Sequence, residues 1–252
     1  MSAPPPAVLL AFGLLGDPVR LPGGQERSWR VGHAVLKPLD LSREALVWQA
    51  DVLARLSGRS DLRVSAPLRT GDGRLVAHGW TAWRYEPGVH VPRRWADIVD
   101  AGRRLHTALA NEPRPAFLDQ RDDRWAVADR VAWGELPPPP GPQHLDRLQK
   151  AMRPAAGRDQ ILHGDLTRNV LFADGLPPLV IDLSPYWRPP GYAHAIVVTD
   201  ALLHEGACEA DVAHLVIEPQ LLLRALVLRT LSDVDPGRLD VAIDVAVRLA
   251  GG

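Results

Sequence analysis

The sequence predicts an α+β protein of two lobes: a small antiparallel β-sheet lobe with one helix over residues 1–86, then a larger, mostly helical lobe over residues 87–252. Three observations carry this expectation. The first third of the chain alternates short apolar runs with Gly- and Pro-rich turns and holds one long helical repeat, "REALVWQADVLARL" at 43–56. Beyond the connector "YEPGVH" at 85–90, apolar residues recur at helical spacing almost to the end. One interruption stands out there: "ILHGDLTRNVLF" at 161–172, an apolar stretch holding a His, two charged groups and an Asn.

The elements follow in order. Residues 6–13 read as a short helix closed by Gly13. "DPVRLPGGQERSWRVGHAVLKP", 17–38, reads as three strands separated by two turns. Ser42 suits the N-cap of the helix over 43–56. "VSAPLRT" (64–70) and "LVAHGWTAWRYE" (75–86) read as two further strands joined by the turn "GDGR". In the second lobe, "WADIVDAGRRLHTALA" (95–110) is strongly helical and "HLDRLQKAMRPA" (144–155) moderately so, with a loop-rich insert between them. "PLVIDLS" (178–184) is a short strand paired with the one at 170–172 across the turn "ADGLPP". Three helical segments close the chain, at 193–207, 210–233 and 235–250, the last with Asp235 as N-cap and Pro236 in the first helical position.

Composition bounds the function. The chain has 252 residues, 46% hydrophobic and 23% charged, with a net charge of −1. That is an ordinary globular composition, without the basic excess of a nucleic-acid binder. The single cysteine, Cys208, excludes an internal disulfide and fits a reducing, cytoplasmic setting. No run of about twenty apolar residues argues for a membrane span, and the opening segment lacks the basic start of a signal peptide. The oligomeric state is not written in the sequence.

Of 29 basic residues only two are lysines, Lys37 and Lys150. Arg cannot always replace a compact ammonium, so a retained Lys at the end of the strand "AVLK" is a candidate site residue. Lys150 ends a helical pattern, where a solvated cation is the default. "HGDLTRN" and "VIDLS" together supply His163, Asp165, Asn169 and Asp182 at the edges of short strands. Two carboxylates, an amide and an ammonium are what phosphoryl transfer from a nucleotide requires. Mg²⁺ takes hard oxygens, which suits Asn169 and Asp182. A second carboxylate, Asp165, can take the proton of an acceptor hydroxyl. An ammonium neutralises phosphate charge, which suits Lys37.

These motifs resemble the aminoglycoside phosphotransferase and choline kinase family, with its two-lobed protein-kinase-like fold. "HGDLTRNVLF" and "VIDLS" look like the catalytic and metal-binding loops, "AVLK" like the nucleotide-binding strand, and "LPGGQERSW" falls at the phosphate-covering hairpin. "PYWRPP" adds a likeness to an actinobacterial-type subgroup. The resemblance implies transfer of the γ-phosphoryl group of ATP or GTP, with Mg²⁺, to a hydroxyl of a small molecule. It makes Asp165 the catalytic Asp, Asn169 and Asp182 the metal ligands, and Lys37 the partner of the α- and β-phosphates. Gly23, Gly24, Gln25 and Ser28 would approach the phosphates. Lys37 would then need a carboxylate on the next helix. Glu44 and Asp51 share a face two turns apart, and Asp51 is preferred by position.

There are departures. Four steps separate Asp165 from Asn169 where the family has five, and the hairpin lacks a full G-x-G-x-x-G. The shortened loop keeps a nucleotide-binding pseudokinase open as the alternative. No A-P-E-like segment follows Asp182, which argues against a protein kinase. His163 is expected to hold backbone and Asp200 to anchor the catalytic loop. Tyr186, Trp187 and Arg188 are candidates to line an acceptor pocket. From Ala195 onward nine acids face four arginines. That suits a cationic acceptor, such as an amino sugar or amino alcohol, and solvated helix faces account for it equally well.

Overall fold

The structure is a computed structural model that describes residues 2–22, 27–140, 143–215, 218–232 and 238–251. It divides into two compact units. One comprises Met1–Val89 with Leu171–Asp182, and the other His90–Val170 with Leu183–Gly252. The first division lies three residues beyond the expected one. The segment 171–182 goes with the β-rich unit, although the sequence reading placed it in the helical lobe.

In the first unit, α1 (Pro6–Ala11) precedes β1 (Val19–Arg20), β2 (Trp29–Val31), β3 (Ala34–Pro38) and α2 (Arg43–Leu56). After α2 come β4 (Arg63–Val64), β5 (Pro67–Leu68), β6 (Val76–Ala77) and β7 (Trp80–Arg84). The main sheet runs β1-β2-β3-β7-β5, with β6 also on β7. Its register sets Ala34 opposite Arg84 and Lys37 opposite Thr81. The inward residues Val31, Ala34, Leu36, Ala77 and Ala82 pack with Val8, Phe12 and Leu14, so α1 covers one face of the sheet. Burying such side chains contributes on the order of 1.5–3 kcal/mol for each large one. α2 begins where Ser42 Oγ accepts the Ala45 N–H at 3.1 Å, and it buries Leu46, Gln49, Ala50, Leu53 and Leu56.

Two strands of the sequence reading break. "VSAPLRT" contributes its first residue, Val64, to β4 and Pro67–Leu68 to β5, which belong to different sheets. "LVAHGWTAWRYE" folds back on itself as the β6–β7 hairpin, because His78 and Gly79 both take positive φ (50° and 77°). Two such residues form the tight turn that matches strand twist. The second sheet of this unit has β10 (Leu179–Val180) between β4 and β9 (Val170–Leu171), with β10 parallel to β4. Arg63 fastens it, donating to Pro177 O at 2.9 Å and Pro87 O at 2.8 Å.

The second unit carries α3 (Trp95–Ala108), a 3₁₀ turn (Ala116–Gln120), α4 (Arg124–Ala132), α5 (Gln143–Ala151) and β8 (Gln160–His163). It continues with β11 (Pro185–Arg188), α6 (Gly191–His204), α7 (Glu209–Val212), a 3₁₀ turn (Ala213–Leu215), α8 (Pro219–Ser232) and α9 (Leu239–Gly251). β8 and β11 pair antiparallel, His163 opposite Pro185. α6 buries every residue from Tyr192 to Leu203 and α8 every residue from Leu221 to Arg229. Both are central helices: α8 packs on α4, α5, α6 and α9, and α6 also on α3. The insert read as loop holds α4, which is short but capped where Asp123 accepts the Ala126 N–H at 3.1 Å. The segment read as one helix over 210–233 is instead α7, a 3₁₀ turn and α8, with Pro219 opening α8 as proline can at a first turn. The expected Asp235 cap lies outside the described residues.

Candidate active site

Lys37 lies next to the end of β3, fixed by the pairing with β7. Thr81 Oγ1 donates to the Lys37 carbonyl at 3.2 Å and accepts from Trp83 Nε1 at 3.1 Å. The Lys37 ammonium forms an ion pair with the Asp182 carboxylate, 145 residues away in sequence. Asp182 has φ of 50°, a left-handed conformation that a non-glycine residue adopts at a cost. Held this way, it ends the hairpin segment of the first unit with its side chain 39% exposed.

The turn 163–169, in the second unit, is built mainly on imidazole and backbone. His163 is fully buried. Its Nδ1 accepts the N–H of Asp165 at 3.2 Å and of Ser184 at 3.3 Å. Its own N–H donates to His106 Nε2 at 3.0 Å. Gly164 donates to Ser184 O at 2.9 Å. A Cβ at Gly164 would sit 2.4 Å from the Tyr186 ring, so only glycine fits against that aromatic. Leu166, also fully buried, anchors the turn from below and accepts the N–H of Asn169 at 3.0 Å.

Asn169 interlocks with Asp165. Its Nδ2 donates to the Asp165 carbonyl at 2.7 Å and to Oδ2 at 3.0 Å. Arg168 takes φ of 65° immediately before it. That left-handed residue is how a loop one residue short still turns Asn169 back onto Asp165. With the amide nitrogen so engaged, the Asn169 carbonyl oxygen is its remaining metal-binding atom. Among the described residues no group of three or more His, Cys, Asp or Glu could hold a metal ion. An amide oxygen of this kind is a hard donor of the type Mg²⁺ takes.

Asp165 Oδ1 accepts from Arg229 Nη2 at 3.2 Å. Arg229 in turn binds Asp200 through Nε at 2.6 Å and Nη2 at 2.7 Å. Burial raises the Asp165 carboxyl pKa, Arg229 pulls it back down, and the Asp200 charge adds to the rise. Its side chain nonetheless keeps 48% of its surface in solvent, so the carboxylate remains hydrated.

The sequence-predicted residues thus fall into two pairs, one within each unit. Lys37 meets Asp182, and Asp165 meets Asn169. His163 holds backbone, as expected of it. Asp51 is a correction: it is exposed on α2, its carbonyl accepts from Arg55 Nη1 at 3.2 Å, and Lys37 pairs with Asp182. The reason is helical phase, since the buried polar position of α2 is Gln49. Asp200 is also corrected, because it grips Arg229 and not the loop backbone. Ser28 closes the β1–β2 hairpin by accepting the Leu21 N–H at 2.9 Å. Gly23, Gly24 and Gln25 lie outside the described residues. Arg229 was missed. Its signal was an arginine inside "LLLRALVLRTL", where helical phase leaves it no route to water.

Tyr186, Trp187 and Arg188 line a cavity of about 230 Å³ in the second unit. Arg188 crosses its wall to Asp129 at 2.7 Å and to Glu135 at 2.5 Å. Asp129 is buried, and its Oδ1 has no partner among the described residues.

A family model described as the phosphotransferase enzyme family matches residues 19–186. The chain belongs to this family. Solved structures similar to this phosphotransferase include a choline kinase, LicA, from Streptococcus pneumoniae. It is 12% identical, covers 96% of each chain and has a TM-score of 0.60. An aminoglycoside phosphotransferase from Alicyclobacillus acidocaldarius is 15% identical, covers 100% of this chain and 94% of the other, and has a TM-score of 0.57. A thermostable mutant of the aminoglycoside phosphotransferase APH(4)-Ia is 17% identical, covers 96% and 97%, and has a TM-score of 0.56. At these identities the likeness is one of fold, the protein-kinase-like fold of small-molecule kinases. No curated protein matches by sequence. The family marks the chain as a phosphotransferase. Among the described residues no helix is long and apolar enough to cross a membrane.

Proposed function

We propose that this phosphotransferase moves the γ-phosphoryl group of ATP or GTP to a hydroxyl of a small molecule. Asp165 orients that hydroxyl and accepts its proton as the oxygen attacks. The bond between the γ-phosphorus and the β–γ bridging oxygen breaks, and the nucleoside diphosphate leaves. Lys37 balances charge on the α- and β-phosphates. Asn169, through its carbonyl oxygen, and Asp182 would hold Mg²⁺, which when bound neutralises the phosphate oxygens. The observation that carries the reading is the Lys37–Asp182 ion pair. It joins the retained ammonium to the second motif carboxylate, and both groups would turn from each other to a metal-chelated triphosphate. Similar folds have been solved with AMP-PNP and Ca²⁺, and with ADP, in kinases of amicoumacin and spectinomycin.

The acceptor is a small hydroxylated molecule, and the nine acids against four arginines from Ala195 onward favour one with an amine. Incubation with Mg-ATP or Mg-GTP and a panel of amino sugars, aminoglycosides, amino alcohols and nucleosides should yield one product heavier by a single phosphate. The product should vanish with Asp165→Ala. A second reading, the nucleotide-binding pseudokinase, is favoured by the interlock of Asn169 with Asp165 in a shortened loop. A Mg²⁺-dependent rise in melting temperature with nucleotide, and no product across the panel, would select it. No shift and no product would dismiss both.

A further inference from the structure

We propose that Arg229 is a positioning residue for Asp165: it clamps one carboxylate oxygen so that the base faces the acceptor in a single orientation. The inference rests on Asp165 being the base of the proposed reaction. It starts from how each oxygen of Asp165 is held. Oδ2 accepts from Asn169 at 3.0 Å and Oδ1 from Arg229 at 3.2 Å. A carboxylate gripped from both sides cannot turn about the Cα–Cβ bond to another rotamer without losing its partners.

The grip from Arg229 is rigid because Arg229 is itself fixed. Its Nε and Nη2 bind the two oxygens of Asp200 side by side, at 2.6 and 2.7 Å. A bidentate pair sets the plane of the guanidinium, so the direction of the Nη2 hydrogens is set too. The pair is deep in the unit: the Arg229 side chain is 10% exposed and that of Asp200 5%. Arg229 follows Leu226, Val227 and Leu228, none more than 1% exposed.

A buried ion pair is poor evidence of a purely stabilising role, because apolar residues of similar volume often serve as well or better. What an apolar replacement cannot supply is the third contact, the one to Asp165. Asp200 on α6 and Arg229 on α8 therefore act as one device that carries the rigidity of two buried helices to a half-exposed catalytic group. Lysine would not reproduce it, since an ammonium offers no planar fork.

The test uses the full chain and three variants. Arg229→Gln alone would leave the Asp200 charge buried and unpaired and could unfold the protein. The double variant Arg229→Gln with Asp200→Asn removes both charges, and Arg229→Lys keeps them without the fork. Phosphoryl transfer is read as kcat and KM per folded molecule. The Asp165 rotamer is read from its Hα–Hβ NMR couplings, which need no turnover. The double variant should lose about 100-fold in kcat, the cost of a loosened catalytic group. KM for both substrates should hold, because the interaction bears on the chemical step. Its Asp165 couplings should average over staggered rotamers where the wild type shows one. Arg229→Lys should fall between. If the double variant keeps wild-type kcat per folded molecule and a single Asp165 rotamer, Arg229 is only structural and the proposal is overturned. If the wild type phosphorylates nothing, the functional reading fails, while the couplings still decide whether Arg229 orders Asp165.

Discussion

The two halves of the candidate residue set, one in each unit, are built on opposite principles. In the first unit, Lys37 and Asp182 are held by one ion pair whose side chains are 21% and 39% exposed. A pair that exposed stabilises by at most about 1 kcal/mol and is easily exchanged for another partner. In the second unit, Asp165 is fixed by Asn169, Arg229 and the His163 imidazole, and of the supporting groups His163, Arg229 and Asp200 are buried. Breaking one partner of a buried pair costs about 3–5 kcal/mol. The Lys37–Asp182 half is therefore exchangeable and the Asp165 half pre-organised. That division suits a reaction in which phosphate and metal come and go while the base must stay aimed.

The largest expected effect falls on the rigid half. Asp165→Asn should lower kcat about 10³-fold, within the range of general-base contributions. The nucleotide-dependent rise in melting temperature should stay, since in the proposed reaction Asp165 serves the acceptor and not the nucleotide. Loss of the melting shift along with turnover would break the contrast between the halves.

Next comes the exchangeable half. Lys37→Met should raise KM for ATP about 10- to 100-fold, the worth of one charge-assisted contact to phosphate. Its melting temperature without nucleotide should barely move, because the pair it breaks is so exposed. Lys37→Arg should recover only part of the loss, since a wide guanidinium does not present a point charge. A large drop in intrinsic stability for Lys37→Met would show that the pair is structural and not exchangeable.

The rigid half was legible in sequence because its parts are contiguous. His163, Asp165 and Asn169 fall within seven residues, and the turn they share needs Gly164 where the chain meets Tyr186. α2 was legible from its serine cap and apolar spacing, down to its ends at Arg43 and Leu56. The clamp was not. Asp200 and Arg229 lie 29 residues apart on different helices, and no periodicity says which buried charges meet. The partner of Lys37 was misread for a related reason. Helical phase tells which face of α2 a carboxylate takes but not which face the lysine reaches, and the answer lay 145 residues downstream. α4 escaped because nine residues between proline-rich runs carry a weak repeat, and its one firm signal is the cap at Asp123.

A third effect, smaller at neutral pH, comes from the histidines behind the turn. His106 and His194 are buried and stacked, ring centroids 6.0 Å apart. Burial lowers the His106 pKa well below its ordinary value, with His194 and His163 adding to the drop. Burial also pushes His194 down to about 4, helped by Arg103. The sign follows: in the window between pH 4 and 6.5 the unfolded chain binds the proton and the folded one does not, so stability falls as pH drops through it. For His194 the full loss is on the order of 3 kcal/mol. For His106 the proton would occupy Nε2, the atom that accepts the His163 N–H, so the turn itself should loosen in acid. Both ring nitrogens of His194 have no partner among the described residues. His194→Leu should therefore gain about 1 kcal/mol at pH 7.5 and more at pH 5, read by chemical denaturation at each pH. An equal gain at both values would mean His194 does not carry the acid sensitivity.

The smallest expected effect tests the correction on α2. Asp51→Asn should leave kcat, both KM values and the melting temperature unchanged. Its carboxylate faces solvent, and the bond it does make, from Arg55 to its carbonyl, belongs to the backbone and survives the substitution. A surface change of this kind typically stays within about 0.5 kcal/mol. If Lys37 needed an acid from α2 to hold its ammonium, Asp51→Asn should instead raise KM for ATP as Lys37→Met does, in a smaller step. Asp182→Asn supplies the comparison, since it removes the partner Lys37 does have and also a proposed metal ligand. A KM effect at Asp51 approaching that at Asp182 would mean that the ammonium leaves Asp182 for α2 during turnover. The exchangeable half would then have two resting partners for its lysine.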